Sequence, residues 1–206
     1  MRRGSDGAWI VELNPDTMPR LLVNERFAAR VAPNAKREDR SFVAERLASA
    51  NWLVRSLQQR AQTIVKVASE IVRRQDGFLR HGVSHLRPLI LRDVAAEVDL
   101  HESTVSRVTS NKYIATPRGT FELKYFFTVA LDSSDGGDAV SAEAVRHRIR
   151  GLIDAEAPGK VLSDEALTLA LRGEGVDIAR RTVAKYREAM RIPGSAQRKR
   201  EKAALA

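Results

Sequence analysis

The sequence predicts a mainly α-helical protein: a long helix leading into a helix-turn-helix module, linked to a second, small three-helix helix-turn-helix domain. Three observations carry this. Residues 35–76 contain neither proline nor glycine, so nothing punctuates the backbone there. Apolar residues recur along that stretch in alternating steps of four and three. Two later stretches, 88–113 and 162–190, each read as helix, tight turn, helix.

Composition sets the bounds. The chain has 206 residues, of which 43% are hydrophobic, enough to build cores in two or three small domains. Lys and Arg outnumber Asp and Glu by 35 to 26, for a net charge of +9. That balance favours polyanionic partners, nucleic acid first. Cysteine is absent, which excludes disulfide scaffolds, zinc ribbons and thiol catalysis. No apolar run approaches the ~18 residues of a membrane span, and the start is too polar for a signal peptide. A cytoplasmic protein with no membrane contact is expected.

Residues 1–33 carry Gly4, Gly7, Pro15, Pro19 and Pro33, which predict no long helix. Trp9 to Leu13 reads as a short strand, and residues 20–24 as a further extended run or short helix. From there Val43, Leu47, Ala50, Val54, Leu57, Ala61, Ile64, Ala68, Ile71 and Phe78 make a 3.5-residue repeat that only Gln75 breaks. One helix over about 37–78 is expected, its stripe packed on another helix, at ~40 residues and roughly 60 Å. Gly77 and Gly82 end it. Residues 83–131 read as a compact helical unit, and Asp132 to Asp138, with three acids, two serines and two glycines, as a flexible linker reaching at most ~25 Å. Helices follow over 139–157 and 163–190, and residues 192–200 read as a mobile basic tail.

In the first module Pro88 suits the first position of a helix. Leu89, Ile90, Val94, Ala95 and Val98 form its inner face. Asp99 makes the turn, Leu100 plugs the core, and Val105 and Val108 line the second helix. The outer face then holds Glu102, Ser103, Thr104, Ser106 and Arg107, short hydrogen-bonding groups and one arginine of the kind that read base edges in a major groove. Tyr113 and the aromatic run from Phe121 to Phe127 read as core beneath this reader; residues 116–119 read as a turn that offers Arg118 to a phosphate. In the second module Ser163 caps a helix, residues 173–175 turn, and Asp177 opens the next helix. Val183 with Tyr186 or Met190 anchors that helix, leaving Arg180, Arg181, Lys185 and Arg187 toward solvent. Nine basic residues and two acids lie between Arg180 and Lys202. The pattern is that of a nucleic-acid reader rather than a merely solvated face.

Ala179 to Glu188, Ala-Arg-Arg-Thr-Val-Ala-Lys-Tyr-Arg-Glu, is identical to the RpoN box, the signature of the sigma-54 class of bacterial transcription factors. Leu100 to Arg107, Lys112-Tyr113 and Thr116 to Phe127 resemble that family's other helix-turn-helix and its continuation. Trp9 to Asn14 with Pro19-Arg20 is similar to the end of its core-polymerase-binding domain, so the resemblance runs from about Trp9 to Arg200. The resemblance implies that the RpoN-box helix reads the −24 promoter element through Arg180, Arg181 and Lys185, with Thr182, Tyr186 and Arg187 in lesser roles. It places Glu102, Ser103, Thr104, Ser106 and Arg107 at the −12 element. It implies four regions: 1–33, a remnant of the core-binding domain; 34–131, the −12 reader; 132–138, a linker; and 139–206, the −24 reader.

Implied partners are double-stranded promoter DNA, core RNA polymerase and, for full-length members, an AAA+ activator ATPase; a monomer is expected. The family's Gln/Leu-rich N-terminal segment and most of its core-binding domain have no counterpart here. Promoter recognition is therefore the expected activity of this chain, ahead of activator response. Asp99 stands where the family usually has glycine, at modest cost, since Asp tolerates the left-handed conformation. The alternatives are a free-standing helix-turn-helix repressor and a coiled-coil interaction protein that recruits no polymerase. No catalysis, cofactor or metal is expected: phosphate-loop and dinucleotide-loop motifs are missing, and the His81–His85 pair has no third ligand nearby in sequence.

Overall fold

The structure, a computed structural model, describes residues 1–5, 7–17, 19, 21–31, 36–131, 140–157 and 159–204. The chain divides into two compact units, Met1–Ser69 and Glu70–Ala206. The expected linker at 132–138 lies outside the described residues.

In the first unit, strand β1 (Arg2–Arg3) pairs antiparallel with β2 (Trp9–Ile10). A 3-10 turn covers Pro15–Thr17 and a short helix α1 covers Glu25–Val31. Helix α2 is a single 38-residue helix, Arg37–Arg74, with Glu38 and Asp39 in its first turn and Arg73 and Arg74 in its last, both favourable to the helix dipole. Its heptad stripe is half-buried from Val43 to Ile64, and only from Val67 onward, at Ala68, Ile71 and Val72, does the helix enter a core.

The expected helix over 37–78 is two helices. Gln75 ends α2, and α3 (Asp76–His81) follows. At the break Gln75 has φ −100° and ψ 24°, and its side chain is held by a distant segment. Gln75 is 1% exposed, its Nε2 donates to the Arg87 carbonyl at 2.8 Å, and its Oε1 accepts from the Arg87 N–H at 3.0 Å. A buried amide must find such partners, and here it takes them from a segment twelve residues on. Gly82, at φ 96°, ends α3; a Cβ there would lie 3.3 Å from the Arg118 guanidinium.

After a 3-10 turn at Val83–His85 come α4 (Leu91–Glu97) and α5 (Glu102–Thr109). Pro88 does not open α4, which starts three residues later with Ile90 as its N-cap. Ile90 is 43% exposed rather than inward. The stretch 83–131, expected to be a compact helical unit, contains a hairpin, β3 (Tyr113–Thr116) with β4 (Gly119–Glu122), paired from Tyr113↔Glu122 to Thr116↔Gly119. The expected turn at 116–119 is its tip. A 3-10 turn, Leu123–Phe126, then brings the aromatic residues against Phe78, with ring centroids 5.2 Å from Phe121 and 5.4 Å from Phe126. Both contacts are edge-to-face, the favoured arrangement for such rings. Phe126 is core, as expected; Phe121, Tyr125 and Phe127 are half-buried, and Tyr113, expected in the same core, is 69% exposed.

Strands β5 (Ala130–Leu131) and β6 (Val140–Ser141) lead into α6 (Ala142–Asp154), α7 (Asp164–Gly173), α8 (Arg180–Ala189) and α9 (Ser195–Ala204). Val145, Ile149, Ile153, Leu167, Leu171, Val176, Ile178 and Val183 form the core of the last helical module. The expected mobile tail is helix α9. Arg198 anchors it, 4% exposed and bonded to Glu156 at 2.8 Å and to the carbonyls of Pro193 and Leu162.

Candidate nucleic-acid interface

The first reader is α4, a turn and α5. Val94, Ala95, Val98 and Val105 are all under 5% exposed and hold the two helices together. Asp99 adopts φ 51°, the left-handed conformation the sequence called for, and the Leu100 N–H closes back on the Ala95 carbonyl at 3.0 Å. His101 caps α5: its Nδ1 accepts from the Ser103 N–H at 3.1 Å. With the inner face fixed, Glu102, Ser103 and Arg107 are exposed, while Thr104 and Ser106 are half-buried beside them. All five expected −12 residues thus share one short helix, and three of them are exposed.

Arg118 departs from expectation. Its Nε donates to the Leu79 carbonyl at 3.0 Å, and its Nη2 donates to the Arg80 carbonyl. The guanidinium therefore satisfies the last carbonyls of α3, which have no partner within their own helix. It ties the hairpin tip to α3 instead of standing free for a phosphate. The hairpin itself went unread in the sequence, although Tyr113, 69% exposed at its edge, sits immediately beyond the α5 turn.

The second reader is α7, a turn and α8. Ser163 caps α7 as expected, its Oγ accepting from the Ala166 N–H at 3.1 Å. Gly175 turns at φ 84°. The residue that opens α8 is Ala179, not Asp177, and it has no side chain to cap the helix. The first turn of α8 carries Arg180 and Arg181 and no acid. Cations at the positive end of a helix are unfavourable on their own. A polyanion placed there would be met by both the helix end and the arginines.

Arg180, Arg181 and Lys185 are exposed, and among the described residues none forms an ion pair. Arg181 and Lys185 are four residues apart and lie on one face. Thr182 is half-buried, and so is Tyr186, whose ring lies under the Arg146 guanidinium at 4.9 Å.

Arg187 is the clear correction. It is 6% exposed, donates to both Asp164 oxygens at 2.8 and 3.1 Å and to the Ile192 carbonyl at 2.8 Å. Seven residues from Arg180 it is two helical turns along on the same side of α8, where that side meets Asp164 of α7; the sequence showed only its charge. The Arg187 hydrogen bonds hold the Asp164 carboxyl below its usual range despite partial burial. Arg187 is the principal partner of the Asp164 charge, with weaker attraction from Arg198 and Arg180.

A second internal lock was not visible in the sequence. The Glu156 side chain is fully buried and accepts from Arg198, from the Leu162 N–H and from Lys202 Nζ at 3.3 Å. Burial alone would raise its pKa, but these donors outweigh it and hold the carboxyl below its usual range. Among the described residues no cluster of three or more metal-ligating side chains occurs. Nor is any helix there long and apolar enough to cross a membrane.

Comparison with known proteins follows this geometry. A family model described as the Sigma-54, DNA binding domain matches residues 40–200. The RNA polymerase sigma-54 factor of Azorhizobium caulinodans is 63% identical over 206 residues, covering all of this chain and 40% of that protein. The RNA polymerase sigma-54 factor of Caulobacter vibrioides is 63% identical over 202 residues, covering 97% of this chain and 41% of that protein. The chain thus spans about two fifths of the length of these curated relatives. Among solved structures, Aquifex aeolicus sigmaN bound to promoter DNA is similar with a TM-score of 0.62 and 32% identity, over 95% of this chain and 58% of that one.

Proposed function

Since the chain belongs to the sigma-54 family through its DNA-binding domain, we propose that it recognises bacterial promoter DNA for transcription initiation, with α8 in the major groove of the −24 element and α5 at the −12 element. The observation that carries this reading is the outer face of α8, where Arg180, Arg181 and Lys185 stand exposed without ion-pair partners behind a helix-turn-helix. Arg181 and Lys185 are the central −24 residues of the proposal, with Arg180 beside the uncapped helix end. Glu102, Ser103 and Arg107 are the leading −12 residues, with Thr104 and Ser106 supporting them. Thr182 and Tyr186 are left at the edge of the interface.

The remaining roles follow the family. Residues 1–33 are the end of the core-binding domain, 34–131 and 139–206 carry the two readers, and core RNA polymerase is the protein partner. An AAA+ activator ATPase is the further partner in the full-length family context. The chain acts as a monomer in the cytoplasm and supplies recognition rather than catalysis.

The test is fluorescence anisotropy on a duplex carrying both elements, against duplexes with either one scrambled, at two salt concentrations. Scrambling −24 lowers affinity tenfold or more, and scrambling −12 lowers it less. Equal binding to all duplexes, weakening together with salt, overturns the proposal, because it reduces the basic face to a sequence-independent footprint.

A further inference from the structure

Residues 132–139 separate the two helix-turn-helix modules, and eight residues could span about 28 Å if extended. The segments at their ends are neighbours instead. Ala130 pairs with Ser141 and Leu131 with Val140 in antiparallel register, and the Ala142 N–H donates to the Val129 carbonyl at 3.1 Å. Paired strands lie about 4.8 Å apart, so the second module begins where the first ends.

Helix α6 continues the junction. The helix packs against the 3-10 turn Val83–His85 of the first module. Ser141, Ala142 and Ala144 are 0%, 5% and 4% exposed, yet none belongs to the core that Val145 and Ile149 help form. Small side chains at these positions allow close approach to a neighbouring backbone. Tyr125 of the first module is affected as well: burial first, then the nearby Glu143 charge, push its phenol up. Glu143 in turn accepts from Arg146 at 2.5 Å, and Arg146 covers the ring of Tyr186 on α8.

We propose that α6 docks the two modules into one body, through the face of Ser141, Ala142 and Ala144 against Val83–His85, and that this docking sets the separation of the two DNA elements the chain can hold together. The inference rests on the promoter reading above. A rigid pair of readers gains from its second contact only when the span of the sites matches its own.

The experiment uses the whole described chain and three duplexes: both elements at natural separation, both with two base pairs inserted between them, and −24 alone. Two base pairs rotate one element by about 70° about the axis. Wild type binds the inserted duplex at least tenfold more weakly than the natural one, and no better than −24 alone. Ala144→Arg, a wedge in the docking face, binds the natural duplex only as well as −24 alone, with its −24-only affinity unchanged. Equal wild-type affinity for natural and inserted duplexes overturns the proposal. So does tighter binding of the natural duplex by Ala144→Arg, which would make the docking an obstacle.

Should Ala144→Arg fail to fold, 15N relaxation of the wild type decides independently. One rotational correlation time for residues 83–131 and 140–204 is expected, and two distinct times overturn the docking. Loss of −24 discrimination with a single correlation time would instead count against the promoter reading alone.

Discussion

Two arginines six residues apart on α8 have opposite employment, and substitution separates them. Arg181 is exposed and unpaired, so Arg181→Ala should cost about 1–3 kcal/mol of binding, relax discrimination at the −24 element and leave the melting temperature unchanged. An equal loss on unrelated DNA would make it a phosphate contact only. Arg187 is 6% exposed and holds Asp164, so Arg187→Ala strands a carboxylate and should cost about 3–5 kcal/mol of stability. The low end is expected, since the Asp164 side chain keeps 20% exposure. Arg187→Lys should recover little, because an ammonium cannot reproduce the forked contact to both oxygens. The same carboxylates give the module an acid limit. Asp164 and Glu156 are both held below their usual range when folded. Their contribution is present in full above the usual carboxylate pKa of about 4 and is lost as pH falls through the lower folded values. Thermal melts of residues 140–204 in the intact chain should therefore be flat from about pH 7 to 5 and fall steeply below about pH 4. A Glu156→Gln, Asp164→Asn double variant should be less stable at neutral pH and show a much flatter acid limb.

At the scale of elements, helices α2 and α9 are each fixed by one buried polar side chain. Replacing Gln75 with Leu keeps the apolar seam but leaves the Arg87 N–H and carbonyl without the amide, at a cost of about 1–3 kcal/mol in urea unfolding. A neutral result would mean that water replaces the amide there. Ending the chain after Gly194 removes Arg198 and Lys202 from a buried Glu156 and should destabilise the α6–α8 core as strongly as losing Arg187. Sequence periodicity revealed α2 because its stripe is local, and it marked Gln75 as the break without showing its partner. That partner is Arg87, to which no 3.5-residue repeat points. The α5 and α8 readers were legible because turn chemistry at Asp99 and Gly175 is local too. The β3–β4 hairpin escaped because its aromatic residues are spread over strand and 3-10 turn, which gives neither a period of 2 nor one of 3.6. Helix α9 escaped for a different cause. Arg198 looks like its basic neighbours until Glu156, 42 residues earlier, is seen beneath it.

For the whole molecule, the count of 35 Lys and Arg overstates what DNA can use. Arg73 and Arg74 are committed to Glu70, Arg118 to α3, Arg187 to Asp164, and Arg198 and Lys202 to Glu156. The exposed unpaired cations of the two reading helices are Arg107, Arg180, Arg181 and Lys185. Four phosphate contacts give a slope of log K against log salt of about −3.6, whereas nine would give about −8. A titration of binding between 50 and 200 mM salt distinguishes them, and a slope near −8 would show that cations outside α5 and α8 share the interface. The division of the chain at Ser69 has an optical consequence as well. Both tryptophans, Trp9 and Trp52, lie in the first unit, and all three tyrosines, Tyr113, Tyr125 and Tyr186, lie in the second. Light at the red edge of ultraviolet absorption thus excites one unit alone. Each unit carries its own native chromophore, and the order in which the two melt can be followed by colour without attaching a dye.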